Sequence, residues 1–362
     1  MLDLPAVDVL LSQCGAHQRL GVGEGSARSA CLSRTIAVAL CFGAEHGFTV
    51  YSVSANLRRV GGFVAKDVWI EVALNGPWGQ ARQPGIPVTV ADIVEQGVAC
   101  VQAGAAIVHA HAYDEQSGQQ KDDWQIYARI IEGIRAKIDA VVYPTIPIAG
   151  SGYAGDLRTA QERYAHLEEL ARRGLVEWAV VDPGSVNFSR LDDLAPAETG
   201  FVYLNPEDHI REGLRICGQY GVRPSYAIYE PGFTRLGAKL ANLHPALPAP
   251  LYRFMFSDEF AWGFPPRIAY LEAHLELLEE VSPGAHWMVA GLGVDATPLI
   301  APAVARGGHV RVGLEDACWG SEVTNVQWVE RAVKQVRLAW AEPALAHNVR
   351  EVLRSPPQQN PG

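Results

Sequence analysis

The run Val68-Trp-Ile-Glu-Val-Ala-Leu74 is followed at once by Asn75-Gly76-Pro77 and, further on, by Pro87-Val-Thr-Val-Ala-Asp-Ile93. The first run is apolar and rich in β-branched residues, which is typical of a strand buried on both faces. The second run opens a helix with Thr89 as its N-cap residue. That helix ends at Ala103-Gly104, where glycine marks a helix C-terminus. Together these residues predict one strand followed by one helix.

The same unit repeats along the rest of the chain. Further strands are predicted over 106–112, 140–145, 177–181, 225–229, 251–256, 285–290 and 309–312, and further helices over 122–137, 156–173, 206–220, 234–243, 266–280, 297–306 and 321–341. Apolar strands that alternate with helices predict a parallel sheet covered on both faces. Eight such units favour a closed (β/α)8 TIM barrel over an open sheet, and no GxGxxG motif follows the first strand. We therefore expect a barrel catalytic domain over residues 66–350.

The two ends of the chain do not show this period. Residues 1–65 contain short apolar pieces interrupted by glycine-rich sequence such as Gly21-Val22-Gly23-Glu24-Gly25. We expect an irregular, poorly ordered extension here, with translation from too early a start codon as a hypothesis. Residues 351–362 are expected to form a C-terminal tail.

Composition excludes several function classes. The chain has 362 residues and a formal net charge of −10, without a basic run, so nucleic-acid binding is not expected. The six cysteines are scattered without a CxxC pair, which is typical of free thiols in a reducing compartment. No charged segment suited to a signal peptide begins the chain, and Ile36–Phe42 is too short to cross a membrane. A cytoplasmic protein without membrane partners is the expectation.

Reactive residues lie at the ends of two of the predicted strands. His109 and His111 lie at positions i and i+2 of the second strand, so their side chains point to the same face. Glu315 follows the eighth strand, which flanks the first strand from the other side in a barrel. Two histidines and a carboxylate with open positions suit a catalytic zinc, although non-haem iron uses a similar set. The alternative is two unrelated histidines.

Arg311 lies on the eighth strand itself, close in sequence to Asp316. It forms either a structural ion pair with Asp316 or part of an active site, and the residues alone do not decide between these interpretations.

Longer motifs carry a family resemblance. Ala73-Leu-Asn-Gly76, Pro87-Val-Thr89, Ala103-Gly-Ala-Ala-Ile-Val-His-Ala-His111 and Gly307-Gly-His-Val-Arg-Val-Gly-Leu-Glu-Asp316 together resemble the β-keto acid cleavage enzymes. The resemblance runs from about Lys66 into the final helix.

The resemblance implies roles for these residues. It implies zinc ligation by His109, His111 and Glu315, and an Arg311–Asp316 dyad that abstracts a proton from a β-keto acid. It also implies that acetyl-CoA is the co-substrate and that acetoacetate and a new acyl-CoA are released. The family habit of a homotetramer is carried over as an expectation.

Other residues are assigned to the substrate pocket. On the resemblance, Thr145 lies near the substrate carboxylate, and Asn75 and Trp78 belong to the pocket. Glu230 is either a residue that lines or supports the pocket or a surface or structural carboxylate. Tyr113, Asp114, Asp182 and Asn187 are candidates for the pocket or simply turn residues.

The sequence departs from relatives that act on an amino substrate. Trp78 and Ala227 stand where those relatives have glutamates. Because a buried ammonium without a carboxylate partner is costly, we expect a substrate that lacks a 5-amino group, although cation–π contact with the indole is an alternative. A metal-dependent aldolase or hydrolase on the same barrel, or a barrel that binds metal only for structure, are the rival functions.

Overall fold

The computed structural model describes residues 66–148, 158–194 and 200–354. The expectations for residues 1–65, and for the tail beyond Arg354, lie outside these described residues. The division of the chain into extension, barrel and tail stays a prediction.

The described residues form eight parallel strands that make up one sheet. They are β1 (Ile70–Ala73), β2 (Ile107–Ala110), β3 (Val141–Pro144), β4 (Trp178–Val180), β5 (Arg223–Ile228), β6 (Leu251–Phe256), β7 (Trp287–Gly291) and β8 (His309–Val312). Their spatial order is β3-β2-β1-β8-β7-β6-β5-β4, and the outermost strands β3 and β4 contact each other. This confirms the (β/α)8 barrel, since the strands follow one another around a nearly closed cylinder.

Nine helices cover or extend the sheet in the described part of the chain. They are α1 (Val90–Ala103), α2 (Trp124–Arg135), α3 (Ala160–Arg172), α4 (Glu207–Tyr220), α5 (Pro231–Asn242), α6 (Ile268–Val281), α7 (Ile300–Ala305), α8 (Asn325–Leu338) and α9 (Ala346–Arg354). Every helix expected from the sequence is present, with ends that differ by a few residues.

Capping chemistry sets several of these ends. Thr89 accepts a hydrogen bond from the Asp92 amide at the start of α1, as predicted, and Gly104 ends that helix with a φ of +123°. Helix α5 begins at Pro231, earlier than expected, because proline is tolerated in the first turn. Helix α8 begins only after Thr324, which forms a capping box with Gln327.

The strands are buried along their whole length. All residues of β5 and β6 are buried, as expected for strands covered by helices outside and by side chains inside the barrel. The register places Ala73 of β1 beside His109 of β2, and His109 beside Tyr143 of β3. Polar side chains on the inner face therefore meet near the carboxyl ends of the strands.

Two antiparallel pairs shape the carboxyl end of the barrel. Tyr113–Asp114 pairs with Gln119–Gln120 just after β2, and Val186–Phe188 pairs with Phe201–Tyr203 after β4. Neither of these antiparallel pairs, nor helix α9, was predicted from the sequence. No helix among the described residues combines the length and apolarity that a membrane crossing requires.

Candidate active site

A cluster of three side chains lies at the carboxyl ends of β2 and β8. His109 Nε2 lies 3.6 Å from Glu315 Oε2, and His111 Nε2 lies 3.5 Å from Glu315 Oε1. Candidate ligand atoms of the three residues lie within 4.8 Å of one another, and all three residues are buried. The structure thus brings together the three residues that the sequence proposes as metal ligands.

The turn after β8 places Glu315 in this cluster. Gly313 has a φ of +140°, which favours glycine, and a Cβ there would lie 2.2 Å from the carbonyl oxygen of Ala73. The Glu315 amide then donates to the same Ala73 carbonyl at 3.2 Å. Close approach of this turn to the end of β1 carries the glutamate side chain toward the histidines of β2.

The donor set fits a divalent cation. Among the described residues, His111 Nε2 and Glu315 Oε2 are buried without a hydrogen-bond partner. Such orphaned atoms are costly unless something binds them. Burial lowers the pKa of His109 well below its ordinary value, so this imidazole is neutral and can act as a ligand.

The charges around the cluster support the same conclusion. Four buried carboxylates and two buried arginines lie in or directly beside the pocket: Glu71, Asp182, Glu315, Asp316, Arg253 and Arg311. Four negative charges against two positive ones leave a net charge of minus two when the histidines are neutral. One bound divalent cation would neutralise this set.

Arg311 is the hub of the buried ion pairs. Its Nε donates to Asp316 Oδ2 at 2.8 Å and its Nη2 to Asp316 Oδ1 at 2.7 Å, a bidentate pair. The same Nη2 donates to Glu315 Oε1 at 2.8 Å, and Nη1 donates to Glu71 Oε1 at 3.0 Å. Arg311 therefore joins the cluster and Asp316 in one network. The sequence left open whether Arg311 forms an ion pair with Asp316 or belongs to an active site, and in the structure it forms that ion pair inside the candidate site.

Burial and charge compete in setting the pKa values of this network. Burial raises the pKa of Glu315, but opposing effects, of which the attraction of Arg311 is the largest, together outweigh it and hold that pKa well below the ordinary range. For Asp316 the effect of burial is larger than the opposing effect of Arg311, and the pKa of Asp316 rises to about 6. Arg311 by itself lowers the pKa of Asp316, but desolvation of the buried carboxylate exceeds this attraction, so the net shift is upward.

Glu71 and Tyr143 were not identified from the sequence. Glu71 is fully buried on β1, and its Oε1 accepts from the Tyr143 hydroxyl at 2.7 Å as well as from Arg311. A single acidic residue inside an otherwise apolar strand was the available signal. Because a buried carboxylate needs a partner, that signal indicates a cation inside the barrel.

A pocket opens beside the cluster, and it encloses about 590 Å³ when the open solvent at its mouth is included. His109, His111, Glu315 and Arg311 line it, as does Thr145. Much of the remaining wall is aromatic and comprises Trp78, Phe188, Phe201, Tyr203 and Tyr229. An apolar wall with few polar groups at one end is typical of a small-molecule site.

Trp78 and Asp182 are held in place by contacts within the protein. The Trp78 indole Nε1 donates to the Glu315 carbonyl at 2.9 Å, and its ring packs edge-on against Trp319 at 4.6 Å. Asp182 accepts from the Tyr203 hydroxyl and from the Ala227 amide, both at 2.7 Å. Asp182 therefore lines the pocket, and its carboxylate already has two donors.

Asn75 and Glu230 lie outside the pocket lining. The fully buried Asn75 accepts from the His111 amide at 2.8 Å and donates to the His111 carbonyl at 3.0 Å, so it holds the backbone of the histidine. Glu230 precedes helix α5 and accepts from the Gly263 amide at 3.1 Å. These contacts give both residues a role in holding the backbone, and their assignment to substrate binding stays a prediction.

Three other residues singled out in the sequence also lie away from the pocket lining. Tyr113 is buried and donates to the Gly76 carbonyl, Asp114 accepts the Gln116 and Ser117 amides in a turn, and Asn187 is exposed.

These features place the protein among (β/α)8-barrel enzymes, whose reactive groups meet at the carboxyl ends of the strands. The family model for beta-keto acid cleavage enzyme matches residues 67–354, and the chain belongs to this family. The family identified from the sequence motifs is thereby confirmed.

The names of curated relatives describe cleavage or acetyl-CoA-dependent transfer reactions. The chain is 29% identical over 307 residues to 3-dehydrocarnitine:acetyl-CoA trimethylamine transferase of Rhizobium meliloti (strain 1021). This match covers 80% of this chain and 97% of that protein. It is 26% identical to 3-keto-5-aminohexanoate cleavage enzyme of Fusobacterium nucleatum subsp. nucleatum, covering 75% of this chain and 92% of the relative. It is 27% identical to 3-oxoadipate:acetyl-CoA acetyltransferase of Cupriavidus necator, and the match covers 68% of this chain and 79% of that protein.

Solved structures agree on the fold. The binary complex of ObcA with oxaloacetate superposes with a TM-score of 0.59 at 17% identity, covering 76% of this chain and 68% of that one. At this identity the likeness shows the barrel alone.

Proposed function

We propose that the protein transfers an acyl group from a β-keto acid to CoA, with acetyl-CoA as co-substrate and zinc held by His109, His111 and Glu315. The observation that carries the proposal is the buried His–His–Glu cluster joined through Arg311 to Asp316, beside one pocket. A zinc ion in the cluster would act as a Lewis acid and stabilise negative charge developing on the 3-keto oxygen.

Asp316 is the base in this scheme and acts from behind Arg311, because Arg311 lines the pocket and Asp316 does not. Its carboxylate is buried, has a pKa of about 6 and is held by two hydrogen bonds from Arg311, so near neutral pH it is both ionised and oriented. It takes the proton from C2 of the keto acid. Carbon C2 then attacks the acetyl-CoA thioester carbonyl and the CoA thiolate leaves.

The second half of the reaction returns CoA. The thiolate attacks the original 3-keto carbon, the bond between C2 and C3 breaks, and C2 recovers a proton. The products are acetoacetate and a new acyl-CoA, so all atoms of the keto acid and acetyl-CoA are accounted for. Arg311, which also contacts Glu315 and Glu71, keeps the base and the ligand cluster in fixed relation.

The pocket wall supports a substrate without a 5-amino group. Ala227 and Trp78 bring no carboxylate to the wall, and Asp182 already accepts from Tyr203 and Ala227 and lies 3.7 Å from Arg253. With Glu315 engaged by zinc, a primary ammonium would therefore lose its water without gaining a carboxylate acceptor. The aromatic faces suit an apolar tail, or a quaternary ammonium that needs no hydrogen-bond acceptor.

The test is mass spectrometry of the zinc-loaded protein with acetyl-CoA and three kinds of β-keto acid, with neutral, primary-amino and quaternary-ammonium tails. Acetoacetate together with a matching acyl-CoA supports the reaction class. Cleavage without acetyl-CoA indicates the aldolase alternative, and faster cleavage of the 5-amino compound contradicts the substrate assignment. The expected homotetramer stays a prediction that light scattering tests.

A further inference from the structure

A chain of hydrogen bonds runs from the candidate ligand His111 to the buried Tyr127 of helix α2. His111 Nδ1 lies 2.9 Å from Gln120 Oε1. Gln120 Nε2 in turn lies 3.0 Å from both carboxylate oxygens of Asp122, and the Tyr127 hydroxyl donates to Asp122 at 3.0 Å. None of the three residues that follow His111 in this chain of hydrogen bonds was singled out in the sequence.

The carboxylate at the far end fixes the direction of the chain. An ionised carboxylate only accepts hydrogen bonds, so the Gln120 amide must turn its nitrogen toward Asp122. Its oxygen then faces His111, and a hydrogen bond forms only if His111 Nδ1 carries the proton. Rotating the amide by half a turn would set its oxygen against the Asp122 oxygens, which repel it.

This tautomer leaves the other ring nitrogen free. In a neutral imidazole protonated at Nδ1, the lone pair is on Nε2, the atom that lies 3.5 Å from Glu315 Oε1. The same Nε2 is buried and has no hydrogen-bond partner among the described residues. His109 differs, because its Nδ1 is buried without a partner in that same described part of the chain.

The hairpin after β2 holds Gln120 through contacts outside the ligand cluster. Gln120 pairs with Tyr113 in the two-stranded ladder, and the Lys121 amide donates to the Ala112 carbonyl at 2.9 Å. The turn of the hairpin is closed by Asp114, whose Oδ1 accepts from the Ser117 amide at 2.9 Å. These bonds involve backbone and turn residues that do not belong to the ligand cluster.

We propose that Gln120 is a positioning residue that fixes His111 as the Nδ1-protonated tautomer and so presents Nε2 to a divalent cation, with Asp122 acting through it. The inference rests on the metal assignment made under the proposed function. Partners of this kind behind a metal-bound histidine typically change metal affinity by about 10–100-fold when removed.

The experiment measures zinc affinity of the full-length protein by competition with a chromophoric chelator. We expect Gln120→Leu to weaken zinc binding by about 10–100-fold, because His111 loses the acceptor that selects its tautomer. The matched control is Gln119→Leu, an exposed neighbour in the same short strand, which should bind zinc like the parent. Thermal unfolding of each variant is recorded alongside.

A double variant separates hydrogen bonding from packing. In Gln120→Glu/Asp122→Asn the carboxylate and amide exchange places, so His111 Nδ1 again has an acceptor and that acceptor again has a donor behind it. We expect zinc affinity within about threefold of the parent, far above that of Gln120→Leu. Zinc affinity of Gln120→Leu within twofold of the parent overturns the proposal, as does an equal loss in Gln119→Leu or in the double variant.

None of these measurements uses a keto acid or acetyl-CoA. A protein that shows this pattern of zinc affinities but cleaves no β-keto acid contradicts the proposed function and leaves the role of Gln120 standing.

Discussion

Replacing Asp316 by asparagine should separate activity from stability. Asparagine keeps the size of the side chain and one acceptor for Arg311, but it cannot take a proton from the substrate. Loss of a general base typically lowers turnover by about 10²–10⁴-fold, which corresponds to about 3–5 kcal/mol of barrier. Zinc should remain bound, because Asp316 is not part of the ligand cluster.

The effect on stability follows from the raised pKa of Asp316. Its pKa in the folded protein is about 6, against 3.8 for the unperturbed group. Ionisation of this carboxyl therefore destabilises the fold progressively as the pH rises from about 4 to about 6, and the penalty is complete above that window. A difference of about two pKa units corresponds to about 3 kcal/mol, which asparagine removes at pH 8.

A lost hydrogen bond opposes this gain. Arg311 donates twice to Asp316, and asparagine accepts only one of these bonds and turns its own N–H group toward the guanidinium. A charge-assisted hydrogen bond of this kind contributes about 1.5–3 kcal/mol, so the two effects nearly offset. We expect the unfolding free energy of Asp316→Asn to lie within about 2 kcal/mol of the parent.

The assays are acyl-CoA formation by mass spectrometry, zinc content by inductively coupled plasma mass spectrometry, and urea unfolding of chelator-treated protein at pH 8. Glu322→Gln is the control, because Glu322 is an exposed carboxylate in the loop after β8. It should leave all three readouts unchanged. A fully active Asp316→Asn variant refutes the assignment of the base, and a variant that has lost its zinc refutes the separation of base from ligands.

Three further predictions follow from the site. His111→Ala should lose both zinc and turnover, since one of three ligands is removed; metal analysis that finds the parental zinc content contradicts the ligand assignment. The value of kcat/KM should fall at acid pH with a midpoint at or below about 6, because Asp316 must be ionised to act as a base. A bound cation lowers the pKa of Asp316 further. A midpoint above pH 7 in the pH–rate profile would exclude Asp316 as the base. Gly313→Ala should destabilise the fold by about 3 kcal/mol or more in urea unfolding, because its Cβ would lie 2.2 Å from the Ala73 carbonyl oxygen. The control Gly118→Ala, with a φ of +66° and open space around its Cβ, should cost about 1 kcal/mol. Equal losses of stability in the two variants would show that the clash at Gly313 is relieved elsewhere.

The fold could be predicted from the sequence because its signals are local. Strand β6 and strand β8 have the bounds that the sequence predicts, since continuous apolar runs between turn residues mark buried parallel strands. The start of α1 follows from the threonine cap and its end from a glycine. The short antiparallel pairs after β2 and β4 escaped prediction, because two or three residues carry too little periodicity to show a strand.

The candidate ligands and dyad could also be proposed from the sequence. Positions i and i+2 on a strand share a face, and motifs around β2 and β8 carry the family resemblance. Nothing in that reasoning separates residues that face the pocket from residues that support it. Asn75 and Glu230 were assigned to substrate, yet their side chains bond to backbone groups of His111 and Gly263.

Contacts between residues that are distant in sequence decided those features of the candidate site that the sequence did not predict. Glu71 and Arg311 are 240 residues apart in sequence, and the register of β1 against β8 sets them side by side. Gln120 lies behind His111 because a short hairpin folds back beside β2. The sign of the Asp316 pKa shift depends on burial as well as on its arginine partner. Local spacing determines which face of an element a side chain occupies, whereas desolvation and long-range pairing depend on the other elements that close around it.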